Sequence, residues 1–113
     1  MENAHRNARR NGIANAAFHA GPAEALLPRM VLDGLRCDAV IADPPRKGLD
    51  ASVIRAIAEA GPSRVVYVSC NVATLARDIA VFRTYGYDAS LVQSVDMFCW
   101  TSGIETVALL SKQ

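Results

Sequence analysis

The chain has 113 residues, 51% hydrophobic and 20% charged, a balance that supports one folded domain and excludes disorder, collagen-like repeats and polar low-complexity sequence. Twelve Lys and Arg against eleven Asp and Glu leave a net charge of +1, too small for a general steering field toward nucleic acid or an anionic membrane. Cys37, Cys70 and Cys99 form neither a C-x-x-C pair nor a disulfide framework, and no apolar run makes a signal core or a spanning helix, so a reducing cytoplasm is the expected location.

Residues 3–11 read as a helix, with basic residues in the last turn and Gly12 just beyond. No N-cap precedes it, so the sequence reads as opening inside a helix of a longer protein. Residues 16–20 read as a short strand, 23–31 as a helix, and 37–42 as an apolar strand ending at Asp43. Asp50 is the expected N-cap of a helix over 51–60, whose Val53, Ile54 and Ile57 recur at helical spacing and whose stop is Gly61. Residues 64–69 (RVVYVS) are β-branched and nearly continuous, as in a parallel strand buried on both faces. A helix over 72–85 is expected to bury Val72, Leu75, Ile79 and Phe82 and to stop at Gly86. Strands over 88–95 and 105–111, with no helix between them, predict an antiparallel pair. The alternation predicts the α/β class, a doubly wound parallel sheet ending in an antiparallel hairpin. That is the arrangement of Rossmann-like methyltransferases.

Three groups of residues suggest chemistry. In Asp43-Pro44-Pro45-Arg46-Lys47-Gly48-Leu49, two prolines fix φ and hold the chain extended, presenting the carboxylate at the carboxyl edge where open α/β sheets bind ligands. The alternative is a rigid turn with solvated Arg and Lys. Ser69-Cys70-Asn71 ends the next strand at that edge. A cysteine ahead of a helix is one placement that favours the nucleophilic thiolate; a small buried hydrophobe is its plain alternative, and Asn71 reads as an N-cap. Glu105 opens the last strand, whose antiparallel course returns it to the same edge. Neighbouring strands about 4.8 Å apart would gather Asp43, Cys70 and Glu105 around one crevice. Otherwise Glu105 is a solvated edge carboxylate. His5 and His19 lack a second ligand at useful spacing, so no metal site is expected. Phe98 and Trp100 read as a lid or packing pair, with base stacking as the alternative. Arg6, Arg9 and Arg10 read as a solvated helix face.

With these motifs in place, the chain resembles the S-adenosylmethionine-dependent RNA uracil-5-methyltransferases acting on ribosomal and transfer RNA. The segments ENAHRNARRNGIANAAFHAGPAE, DPPRKGL, VSCNVATLARD and DMFCWTSGIETVALL carry the resemblance over essentially the whole chain. It implies that Cys70 attacks C6 of an RNA uracil and that Glu105 removes the C5 proton. It further implies that Asp43 and Glu24 serve S-adenosylmethionine, and that Pro44, Pro45, Arg46, Asn71 and Phe98 shape the site around a base drawn out of its stack. The chain departs from the family at Pro22 (commonly acidic), Val72 and Cys99 (commonly Pro) and Gly103 (commonly His). The glycine-rich loop, ribose-binding acid, RNA-binding barrel and, in many members, iron-sulfur cysteines of full-length proteins have no counterpart here. Residues 1–113 therefore read as the C-terminal part of a catalytic domain, a Rossmann-like fold lacking its first two strands. Such a piece is expected to be inactive alone and to self-associate through the uncovered sheet edge. Two other functions compete. One is an amino-group methyltransferase using the D-P-P turn, although Arg46 stands where those sites usually have an aromatic residue and they need no cysteine. The other is a non-catalytic RNA-binding or interaction module.

Overall fold

A computed structural model of the chain describes residues 2–96 and 104–113. In order, the elements are α1 (Glu2–Arg10), α2 (Ala23–Leu32), β1 (Ala39–Ala42), α3 (Ala51–Ala60), β2 (Arg64–Ser69), α4 (Val72–Arg83), β3 (Tyr87–Asp96) and β4 (Ile104–Lys112). The four strands form one sheet in the order β1-β2-β4-β3. β1 and β2 run parallel, while β4 is antiparallel to both of its neighbours.

Local chemistry sets the boundaries that position the site. The Asp50 side chain accepts a hydrogen bond from the Ser52 amide at 2.9 Å and so starts α3, and Gly61 ends it at a φ of +76°. Asn71 starts α4 by accepting from the amides of Ala73 and Thr74. Along β2, Val65, Tyr67 and Ser69 are buried while Val66 and Val68 are only half-buried, so the pleat separates two unlike faces. The buried face packs on Val53, Ile54 and Ile57 of α3 and on Leu75, Ile79 and Phe82 of α4. Full burial of a side chain such as Ile54, at 0% exposure, contributes about 1.5–3 kcal/mol. α2 joins through Val31, which packs with Ala56 and Ala60 of α3.

Several expectations are corrected. Residues 16–20 form no strand, because a strand needs a hydrogen-bonded ladder and β1 pairs only with β2 among the described residues. The apolar stretch from Cys37 becomes strand only from Ala39, where the pairing with Arg64 begins. Val72 is 66% exposed: as the first residue of α4 it lies beyond the stripe that meets the sheet. The α/β class is met, with a parallel pair followed by antiparallel strands, and α3 and α4 pack on the same face of this partial sheet. On the other face Ile41 is 77% exposed and Leu91 is also exposed. No helix among the described residues is long and apolar enough to cross a membrane.

Candidate active site

The parallel pair and the returning β4 bring the expected chemistry to one sheet edge. Ala42 pairs with Tyr67, so Asp43 leaves β1 level with Val68 of β2. Ser69 pairs with Thr106, the last rung between β2 and β4. The next position of that register sets Cys70 opposite Glu105, and directly opposed residues in antiparallel strands lie about 5 Å apart at Cα. Cys70 is exposed with a free thiol, and Glu105 is half-buried.

The turn that carries the thiol is closed by its neighbours. Ser69 Oγ accepts from the Asn71 amide at 3.0 Å and donates to the Asn71 carbonyl at 2.8 Å, bracketing Cys70 from both sides. Asn71, a candidate site-shaping residue, thus caps α4 with its side chain and holds this loop with its backbone.

Asp43 opens on a second feature. A groove of about 680 Å³ runs beside β1 between α2 and α3, lined by Glu24, Asp43, Pro44 and Pro45 together with apolar residues including Leu27 and Val40. The two residues expected to serve a cofactor therefore share one cavity. An apolar trough with two carboxylates fits an adenosine-bearing sulfonium: the walls take the flat base, and the carboxylates suit hydroxyl donors and positive charge. Arg46 is exposed, and neither it nor Cys70, Asn71 or Glu105 lines this groove. Phe98, Cys99, Trp100 and Gly103 lie outside the described residues. Among the described residues no His, Cys, Asp and Glu cluster suits a metal ion.

A cluster that sequence reasoning missed lies between these two features. Asp78 of α4 is 1% exposed, and its Oδ2 accepts from the Leu49 amide at 2.8 Å and the Tyr67 hydroxyl at 2.5 Å. Arg77 forks onto Oδ1 through Nε at 3.1 Å and Nη2 at 3.0 Å, and Nη2 also donates to the Lys47 carbonyl at 2.7 Å. The Thr74 hydroxyl lies 3.0 Å from both the Arg46 and the Asn71 carbonyls and shares its one proton between them. Burial, then the hydrogen bond to Asp78, pushes the Tyr67 phenol above its ordinary value and keeps it a donor. The signal for Asp78 was available: it is an acid on the apolar stripe formed by Leu75, Ile79 and Phe82, where a charge is tolerated only with partners.

A profile of the family tRNA (Uracil-5-)-methyltransferase matches residues 16–113. An uncharacterized RNA methyltransferase of Enterococcus faecalis is 53% identical over 112 residues, covering 99% of this chain and 24% of that protein. One from Geobacter sulfurreducens is 49% identical over 113 residues, 100% of this chain and 23% of that protein. The crystal structure of Pyrococcus abyssi tRNA (uracil-54, C5)-methyltransferase in complex with S-adenosyl-L-homocysteine superposes with a TM-score of 0.79 at 33% identity, over 97% of this chain and 26% of that one. The SAM complex of M1.HpyAVI shares the fold, with a TM-score of 0.66 at 14% identity over 84% of this chain and 52% of that one. The chain thus spans about a quarter of the length of the curated relatives it matches.

Proposed function

From the premise that this chain belongs to the tRNA (uracil-5-)-methyltransferase family, we propose that the whole protein methylates C5 of a uracil in RNA, with Cys70 as nucleophile and Glu105 as base. The observation that supports this best is the rung Ser69 to Thr106, whose continuation sets the exposed thiol across from the half-buried carboxylate.

C5 of uracil is too weak a nucleophile to accept a methyl group directly. Addition of the Cys70 thiolate to C6 moves the C5–C6 π electrons toward C5 and O4, giving an enolate nucleophilic at C5. Bound S-adenosylmethionine would supply the electrophilic methyl group, the C5–CH3 bond forming as the S–CH3 bond breaks and S-adenosylhomocysteine leaves with that electron pair. Glu105 then takes the C5 proton, the electrons of that C–H bond re-form the C5–C6 double bond, and the Cys70–C6 bond breaks to return the thiolate. Asp43 and Glu24 hold the cofactor in the groove beside β1. Pro44 and Pro45 fix the exit of Asp43 from the sheet, and Arg46, Asn71 and Phe98 shape the approach of the base. An unpaired uridine, which leaves its stack at least cost, suits this edge.

Replacing Cys70 by Ala in the full-length protein tests the reading: transfer of labelled methyl to uridine-containing RNA is expected to vanish. Retained transfer would instead favour an amino-group acceptor, which needs no thiol. The 113-residue piece alone is expected to be inactive, because its groove is walled by α2, β1, α3 and the proline turn and lies open along the unpaired edge of β1. It is also expected to self-associate through the outer edge of β1, and a monodisperse monomer in light scattering would contradict that.

A further inference from the structure

We propose that Asp78 is a positioning residue that locks the proline turn to the helix behind the nucleophile, so that one buried carboxylate sets the offset between the cofactor groove and Cys70. The inference rests on the reading of Cys70 as the nucleophile and adds to it a device on a different element.

The proline turn has no regular structure of its own. From Asp43 to Asp50 it crosses between β1 and α3 with a single internal backbone bond, from the Gly48 amide to the Pro45 carbonyl at 2.9 Å. Among the described residues, its ties from Arg46 to Leu49 run to α4, whose first turn begins at the cap that closes the Cys70 loop. Thr74 holds the Arg46 carbonyl, Arg77 the Lys47 carbonyl and Asp78 the Leu49 amide. These three side chains grip consecutive stations of the turn, with Gly48 passing between them.

Gly48 shows how close the approach is. A Cβ there would lie 2.5 Å from Asp78 Oδ2 and 2.6 Å from Arg77 Nη2, and the backbone stands at a φ of +80°. Asp78 is the hub, since it orients Arg77 through Oδ1, binds Leu49 through Oδ2 and is itself fixed by Tyr67 from inside the sheet. Tyr67 lies on β2, two residues before Ser69 of the nucleophile loop. Three elements of the site therefore meet at one carboxylate. Asp78 touches neither the groove nor the sheet edge where the reaction is proposed, so it acts through what it positions.

The test uses the full-length protein with Asp78→Asn, which keeps the shape and removes the charge and one acceptor, and Arg77→Gln, a change at a largely exposed side chain that leaves the buried carboxylate in place. Hydrogen exchange at the Leu49 amide reads the clamp without activity, and steady-state methyl transfer to a uridine-containing RNA reads its consequence. For Asp78→Asn, Leu49 is expected to lose protection and kcat to fall about 100-fold, the scale for an ångström of misplacement. KM for RNA should stay within about threefold, as for a loss felt in the transition state. Arg77→Gln should show a smaller loss in the same direction. Wild-type kcat in folded Asp78→Asn, or a change confined to KM, would overturn the positioning role. Retained methyl transfer by Cys70→Ala would overturn the nucleophile reading instead, while Leu49 protection would still report the clamp, so the two failures are distinguishable.

Discussion

Gly48→Ala and Gly61→Ala make a matched pair. Both glycines have nearly the same left-handed backbone, with φ of +80° and +76°, but a Cβ at Gly61 meets nothing within 4 Å whereas one at Gly48 meets Asp78 and Arg77. The backbone penalty, about 1–2 kcal/mol for a side chain in this region, is common to the two and cancels in the comparison. What remains at Gly48 is the displacement of a buried carboxylate from the Leu49 amide and the Tyr67 hydroxyl, where a hydrogen bond to a charged group contributes about 1.5–3 kcal/mol. Gly48→Ala should therefore cost roughly 2–4 kcal/mol more than Gly61→Ala, a large part of the about 5–15 kcal/mol that stabilises a domain. Hydrogen exchange of the α4 and β2 amides along a urea series in the full-length protein reads the cost in this segment. Equal shifts for the two variants would refute the close approach and the clamp built on it.

Other expectations follow from local chemistry. Asn71→Ala removes the acceptor for two helix-starting amides and should lower stability by about 1 kcal/mol in the same urea series. Ile54→Ala empties a fully buried position and should cost about 2–5 kcal/mol. The hydrogen bonds from Ser52 to Asp50, and from Arg83 to Asp88, hold these carboxyls below the usual 3.8. Because the folded state prefers the charged form, that stabilisation is present above pH 3.8 and is lost as acid protonates the folded carboxyls. An Asp50→Asn, Asp88→Asn double variant should therefore be less stable than wild type at neutral pH and converge with it in acid. A gap that is unchanged by acid would contradict the assignment.

What the sequence made legible was whatever local chemistry decides. The bounds of α3 follow from Asp50 and Gly61, and those of β2 from a β-branched run between a turn and the S-C-N cap. The shared edge of Asp43, Cys70 and Glu105 follows from strand direction alone. Residues 16–20 were misread because strand propensity cannot supply a partner strand. Val72 was misread because helical periodicity does not say that the first residue of a helix overhangs its support. The Asp78 cluster joins residues 29 apart in the chain, Leu49 and Asp78, and long-range pairing of that kind leaves only an indirect trace: a lone acid on an apolar stripe. The cofactor roles of Glu24 and Asp43 follow from the family resemblance, and the groove that the two share, with α2 packed on α3, emerges only from the fold.

The most direct measurement of the central claim is denaturing mass spectrometry of the full-length Glu105→Gln protein mixed with S-adenosylmethionine and uridine-containing RNA. With the thiol present and the base removed, the account predicts a stable adduct between Cys70 and the RNA that carries one transferred methyl group. No adduct, with free methylated RNA produced at the wild-type rate, would contradict the assignment of Glu105 as the base that releases Cys70.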